Sequence, residues 1–219
     1  MTHLDTEIKQ LKKDTVEMWN LVIVQLEKAS KAMIEFDKGL AKDINIIEKR
    51  VDAFELKLNM DCENILALFN PVAIDLRFVI AVLKINYNLE RIGDYANSIA
   101  GIVCHSDSEF DKELLDSSKL TKMFEISQVM LHESLEAFEN ENNKLAREIL
   151  TQDEQLDKIN ISANVNLKSS IETNQDKIEQ HLNILSIIRM LERVGDQTKN
   201  IAEEIIFFIE AKVLRHSKS

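Results

Sequence analysis

Glycine and proline are almost absent from this chain: together they account for five of its 219 residues, where average composition would supply about 26. β-Sandwiches and barrels need turns rich in these residues roughly every ten positions, so their scarcity excludes most β architectures. The length is ample for a buried core that needs no disulfide or structural metal. We therefore predict an all-α protein.

The charge balance excludes a class of partner. Acidic residues outnumber basic ones by 38 to 27, which gives a formal net charge of −11. The basic residues alternate with acidic ones at helical spacing, which is typical of a solvated helix face and unlike a surface that neutralises phosphate backbones. We therefore expect no nucleic-acid partner.

The cysteines and the largest apolar residues are interpreted as core. Cys62 and Cys104 lie far apart within apolar helical patterns and form neither a C-x-x-C motif nor a paired framework, so both are expected to be reduced. Trp19 and Met18 are interpreted as core residues as well.

The chain carries no recognisable targeting or membrane segment. Its first residues lack the basic region and apolar stretch of a secretory signal. The longest strongly apolar runs, 78–83 and 205–209, are far shorter than the roughly 18 residues of a membrane helix. We expect a cytoplasmic protein without a membrane span.

Apolar residues at three- and four-residue steps predict long amphipathic helices. In the first half these helices cover about 4–36, 41–69 and 71–104; in the second half they cover about 111–139, 144–171 and 176–213. Gly39 is expected to end the first helix in a left-handed conformation, and Pro71 to lie in the first turn of the third. The most polar connection, 105–109, predicts a boundary between domains 1–105 and 106–219.

The two halves repeat one another. Apolar positions match at a constant offset of 105 residues, and after the next loop at an offset of 102. At the second offset Leu-Glu-Arg-Ile-Gly-Asp (89–94) falls on Leu-Glu-Arg-Val-Gly-Asp (191–196). We therefore predict two tandem, internally duplicated three-helix bundles built from six long antiparallel helices.

Both halves also keep acidic pairs at four-residue spacing, which places each pair one turn apart on one helix face. Such like charges repel by roughly 0.2–0.5 kcal/mol per pair on an exposed helix, so something should compensate for them. Neighbouring arginines and lysines are the simplest compensation, and a bound cation is the alternative. The pairs are Glu48 and Asp52, Glu90 and Asp94, Asp153 and Asp157, and Glu192 and Asp196.

The third helix of the first half favours the cation. Asn86, Glu90, Asp94 and Asn97 form an oxygen-rich stripe of about 80° of arc, which borders the apolar face and should therefore look toward a neighbouring helix. Oxygen ligands of this kind suit Mg²⁺, Ca²⁺, Mn²⁺ or iron. The mid-helix glycines Gly93 and Gly195 indicate a close approach, either for tight helix packing or for access of an ion.

No catalytic constellation is present. None of the five histidines has a glutamate three residues before it, as the di-iron bundle enzymes require, and no P-loop, nucleophile elbow or His-based triad occurs. A non-enzymatic protein is therefore expected. The alternative is a helical-bundle metal-binding protein or metalloenzyme that uses the same carboxylates, and a purely structural scaffold is a third possibility.

The doubled motif resembles the signature of the PhoU phosphate-signalling family. The resemblance is carried by Glu-Arg-Ile-Gly-Asp-Tyr-Ala (90–96), by Glu-Arg-Val-Gly-Asp-Gln-Thr-Lys-Asn-Ile-Ala-Glu (192–203) and by Pro-Val-Ala-Ile-Asp-Leu-Arg (71–77). It implies a cytoplasmic regulator that restrains the phosphate-starvation response. Its partners would be the ATPase subunit of the phosphate ABC transporter and a phosphate sensor histidine kinase, and the chain is expected to form a homodimer.

The resemblance also implies metal ligands. The family's Glu-x-x-x-Asp-x-x-x-Asn motif falls on Glu192, Asp196 and Asn200, and on Glu90 and Asp94, where Ser98 replaces the asparagine. The expected metals are divalent or iron-type: Mg, Mn, Fe or Zn. Lys199 could neutralise Asp196 one turn earlier, but its flexible stem also lets the ammonium swing out to water. The second-half site is expected to bind more tightly, since the oxygen donors added by Asn200 and Glu203 should outweigh this lysine.

Overall fold

The computed structural model describes residues 2–173 and 177–211. Within these ranges the structure has seven α-helices. They are α1 (His3–Glu35), α2 (Lys38–Phe69), α3 (Ala73–His105), α4 (Lys112–Ser118), α5 (Leu120–Glu139), α6 (Asn143–Thr173) and α7 (Ile178–Glu210). The predicted last helix, 176–213, is observed as α7, and residues 176, 212 and 213 lie outside the described part of the chain.

The junction between α1 and α2 differs from its prediction. Gly39 does not end the first helix: Phe36 takes the left-handed conformation there, with φ of 51°. The Asp37 carboxylate accepts hydrogen bonds from the backbone amides of Gly39 and Leu40, at 2.8 and 2.9 Å. Because this side chain caps the next helix so early, Gly39 lies in the first turn of α2.

Two further boundaries also differ from their predictions. Pro71 stands two residues before α3 rather than inside its first turn. The predicted helix 111–139 is broken at Lys119, which is left-handed (φ 58°) and separates α4 from α5. Just before the break, the Ser117 and Ser118 hydroxyls donate to backbone carbonyls three residues earlier, and such bonds compete with a regular helix.

The long helices form the two predicted three-helix bundles. Helices α1, α2 and α3 pack together, as do α5, α6 and α7, while the short α4 lies mainly against α6. The bundles lie side by side, with α3 along α7 and α1 along α5. The helices that carry the duplicated motif, α3 and α7, therefore lie at the centre of the molecule. Over the described residues, none of the helices is long and apolar enough to cross a membrane.

An aromatic cluster joins the cores of the two bundles. The Trp19 ring of α1 lies 5.4 Å from that of Phe138 on α5, and Phe78 of α3 lies 5.6 Å from Phe208 on α7. Trp19 and Met18 are fully buried, as predicted. Both cysteines are free, also as predicted, and burial raises the pKa of the Cys62 thiol to about 12.

Candidate functional site

The first cluster of carboxylates lies where α2 packs against α3. Glu48 of α2 is only 7% exposed, and Asp94 on α3 is one of the neighbouring carboxylates that act on it. Asp52 and Glu90 lie within electrostatic range of this pair. The two acidic pairs predicted in the first half thus act on one another electrostatically, and we call these four residues the first cluster.

The first cluster holds two carboxyl groups that resist ionisation. Burial is the largest cause for Glu48; the Gln25 amide opposes it, but Asp94 and Asp52 add to it and raise the pKa of Glu48 to about 7. Burial and the neighbouring Asp94 likewise raise the pKa of Glu90 to about 7. Both groups are therefore poised to lose a proton, or to exchange it for another cation, near neutral pH.

Gln25 of α1 is a member of this site that the sequence analysis missed. Its side chain is completely buried, and its Nε2 donates to Glu48 Oε2 at 2.5 Å. Its Oε1 is also buried and has no hydrogen-bond partner in the described structure. A signal was present in the sequence, because Gln25 interrupts the apolar face formed by Val22, Leu26 and Ala29.

The second cluster lies at the equivalent contact of α6 with α7. It contains Asp153 and Asp157 of α6 and Glu192 and Asp196 of α7, and the charges of the α6 pair act on both carboxylates of the α7 pair. Desolvation and then the neighbouring carboxylates raise the pKa of both Glu192 and Asp196. Asp153 is buried, with 2% of its surface exposed.

Lys199 distinguishes the second cluster from the first. Its Nζ lies 2.9 Å from Asp153 Oδ2, so of the two positions considered for this side chain it takes the one that neutralises a carboxylate, although the partner is Asp153 and not Asp196. The hydrogen bond to Asp153 is the largest cause that raises the pKa of Lys199, which stabilises the ammonium form. Asp153 Oδ1 is buried and has no hydrogen-bond partner in the described part of the structure.

The mid-helix glycines allow α2 and α6 to approach closely. A Cβ at Gly93 would lie 2.9 Å from Gln25 Oε1 and 3.2 Å from Glu48 Oε2, and a Cβ at Gly195 would lie 2.8 Å from Asp153 Oδ1. The close approach predicted at both glycines is therefore confirmed: they permit tight helix packing, with buried oxygens beside the motif helix.

The extra oxygen donors expected in the second half lie elsewhere. Asn200 donates to Asn88 Oδ1 on α3, at 3.5 Å. Asn200 and Glu203 both line a groove of about 600 Å³ between α3 and α7, together with Tyr87 and Lys84. The structure thus places these two residues between the bundles rather than against Asp153. Asn86 does face a neighbouring helix as predicted: it donates to the Glu55 carbonyl of α2 at 2.9 Å.

Ion pairing compensates for only one of the clusters. Within the described ranges, the only ion pair that reaches any of the eight carboxylates joins Lys199 and Asp153. Arg91, which follows Glu90 directly, instead stacks between two tyrosines on its own helix. Its guanidinium carbon lies 6.0 Å from the Tyr87 ring centroid and 5.7 Å from that of Tyr95. Arg91 Nη2 also donates a hydrogen bond to the Tyr95 hydroxyl.

The donor set of the first cluster fits a hard cation. Carboxylate and amide oxygens are the preferred ligands of Mg²⁺ and Mn²⁺, and the unpartnered Gln25 Oε1 lies beside Glu48 in the space left by Gly93. Among the described residues, no three Asp, Glu, His or Cys side chains converge as a preformed metal site. A metal would therefore have to draw the carboxylates together.

The fold and these clusters define a class of protein: duplicated three-helix bundles that carry a Glu-Arg-x-Gly-Asp motif on the third long helix of each half. The family model described as the PhoU domain matches residues 15–103 and 120–205. The chain belongs to the PhoU family.

Relatives and solved structures match nearly the whole chain. A phosphate-specific transport system accessory protein PhoU homolog from Pseudomonas aeruginosa is 30% identical, over 97% of this chain and 87% of the relative. The Escherichia coli protein described as phosphate-specific transport system accessory protein PhoU has the same identity and coverage. The crystal structure of PhoU from Pseudomonas aeruginosa matches with a TM-score of 0.88 at 28% identity, covering 96% of this chain and 100% of that one. That of the phosphate transport system regulatory protein PhoU from Streptococcus pneumoniae has a TM-score of 0.83 at 28% identity, with coverage of 97% and 99%.

Proposed function

We propose that this protein is a non-enzymatic, cytoplasmic regulator that couples phosphate uptake to the phosphate-starvation response. It acts on the ATPase subunit of the phosphate ABC transporter and on a sensor histidine kinase, and it works as a homodimer. The observation that carries the proposal is the full-length similarity to relatives that are described as accessory proteins of phosphate-specific transport.

Metal binding by the acidic clusters is the second part of the proposal. The residues that would hold the ion are drawn from Glu48, Asp52, Glu90, Asp94, Asp153, Asp157, Glu192 and Asp196; Asn200, which the sequence motif includes, donates to Asn88 between the bundles. A bound cation supplies the positive charge that offsets carboxylates crowded between two helices. The raised pKa values of Glu48 and Glu90 support this part, since burial and neighbouring carboxylates disfavour the charged form of both groups when no cation is bound.

Deletion of the gene is expected to switch on phosphate-starvation reporter genes in cells grown with abundant phosphate. The physical reason is that a repressing contact with the transporter and kinase would be lost. Reporter output would be measured in the deletion strain, and in the same strain carrying the intact gene on a plasmid, where repression should return. Unchanged output in the deletion strain would contradict the regulatory role.

The carboxylates, and not the cysteines, are expected to hold the metal, since hard cations prefer oxygen. Replacing Asp94→Asn together with Asp196→Asn should lower the metal content of the purified protein several-fold, measured by elemental analysis. The matched control replaces Cys62→Ala and Cys104→Ala and should retain the metal. Loss of metal from the cysteine variant would show that the ligand assignment is wrong.

A further inference from the structure

The two clusters occupy equivalent positions in the duplicated chain but balance their negative charge differently. The offset of 105 relates α1 and α2 to α5 and α6, and the offset of 102 relates α3 to α7. The relevant counterparts are Glu48 and Asp153 (48 + 105), Gln25 and Met130 (25 + 105), and Asn97 and Lys199 (97 + 102). The second cluster therefore gains a lysine and loses the buried glutamine.

In the second cluster, the compensating positive charge is a side chain of the protein, the ammonium group of Lys199. Lys199 holds its ammonium 2.9 Å from the most deeply buried carboxylate, Asp153, and the charges of Asp196 and Asp157 also act on it. Met130, the counterpart of Gln25, is fully buried and brings no oxygen donor. A metal ion entering here would have to displace the ammonium from Asp153, at the expense of a charge-assisted hydrogen bond.

In the first cluster, none of the described residues pairs a positive charge with a carboxylate as Lys199 does in the second. The counterpart position holds the neutral Asn97, and Gln25 gives Glu48 an amide hydrogen bond without a charge. The same glutamine leaves a fully buried Oε1 without a partner in the described structure, beside Glu48 Oε2 at the Gly93 gap. This cluster therefore offers an additional oxygen donor, and no described lysine or arginine forms an ion pair with its carboxylates.

We propose that Lys199 is a tethered cation that takes the place of a metal ion in the second cluster, so that metal binds at the first cluster, where Gln25 contributes an oxygen ligand. This inference rests on the proposed metal binding and reverses the ranking expected from the sequence. It assigns the two halves different roles: the second cluster is neutralised internally, and the first responds to the supply of metal.

The test exchanges the two counterpart residues in the full-length protein and titrates each variant with Mn²⁺, followed by calorimetry and electron paramagnetic resonance. Asn97→Lys should weaken Mn²⁺ binding at least tenfold, because the new ammonium reaches Glu48. Lys199→Asn should create a second class of binding site. In the wild-type protein, Asp94→Asn should abolish Mn²⁺ binding. In the variant that combines Asn97→Lys with Lys199→Asn, Mn²⁺ should bind at the second cluster, so there Asp196→Asn should abolish binding.

Two controls accompany the exchange. Lys144→Asn removes one lysine charge from a side chain that is 87% exposed at the start of α6, and it should leave the stoichiometry unchanged. Lys199→Gln keeps most of the side-chain length, and circular dichroism of both Lys199 variants reports whether the fold is intact. If Lys199→Asn fails to fold, the stoichiometry of Lys199→Gln decides.

The possible outcomes separate this inference from the proposed function. Binding in the wild-type protein that is lost in Asp196→Asn but kept in Asp94→Asn would overturn the inference and leave the proposed metal binding in place. An unchanged stoichiometry in folded Lys199 variants would overturn it too. The absence of Mn²⁺ uptake by every folded variant would overturn both proposals.

Discussion

Gly195→Ala is expected to destabilise the protein by about 1–3 kcal/mol, which is the range for overpacking a dense interior. The intrinsic helix propensity acts in the opposite direction, since it favours alanine over glycine by about 1 kcal/mol. The added Cβ would clash with Leu156 Cδ1 and lie 2.8 Å from Asp153 Oδ1. Leu156 is fully buried, so it cannot give way without moving the core. The free energy of unfolding, measured with urea, provides the test.

Gly101→Ala is the matched control. It lies on α3, and a Cβ there would meet nothing within 4 Å. Helix propensity and the reduced entropy of the unfolded chain should therefore act alone and stabilise the protein by about 0.5–1 kcal/mol. Effects of the same sign at Gly195 and Gly101 would contradict the assignment of Gly195 to a close helix contact.

The metal-free protein is expected to be more stable at pH 5 than at pH 8, by about 2–3 kcal/mol. The folded state raises the pKa of Glu48 and Glu90 from 4.5 to about 7, so it binds more protons than the unfolded state between these values. Stability therefore falls as the pH rises through this window. The range allows for solvent screening at the partly exposed Glu90. Urea unfolding in the presence of a chelator would be measured at both pH values.

Glu48→Gln provides the control for this pH dependence. The amide keeps the shape of the side chain but cannot ionise, so the variant should gain stability at pH 8 relative to the wild type and show a shallower slope. An equal slope in both proteins would show that Glu48 does not carry the effect.

Much of the fold could be predicted from the sequence because it depends on local rules. The helical class follows from the scarcity of glycine and proline, and the duplication follows from the constant offsets. The acidic pairs could be located as well, since a spacing of four residues fixes a shared face whatever the neighbouring helix does. The errors at Gly39 and Lys119 arose where competing side-chain hydrogen bonds decide which residue ends a helix.

The details of the site were harder to predict because they depend on which rotamer meets which neighbouring helix. Nothing in the spacing of Lys199 shows that its ammonium crosses to Asp153 on α6. The direction of Asn200 toward Asn88 depends on the packing of α7 against α3, which the sequence pattern leaves undetermined. Gln25 lies on α1, 23 residues before Glu48, so no motif within α2 or α3 could include it.

The contact between the bundles limits how the two halves could be exchanged. Lys84 of α3 pairs with the buried Glu204 of α7 at 2.9 Å. Their counterparts at the offset of 102 are Ser186 and Ile102, so neither half contains both members of the pair. An artificial tandem of two first halves would set Lys84 against an isoleucine, and a tandem of two second halves would leave Glu204 buried opposite a serine. The two repeats are therefore complementary at this contact, and one cannot replace the other without the loss of the Lys84–Glu204 pair.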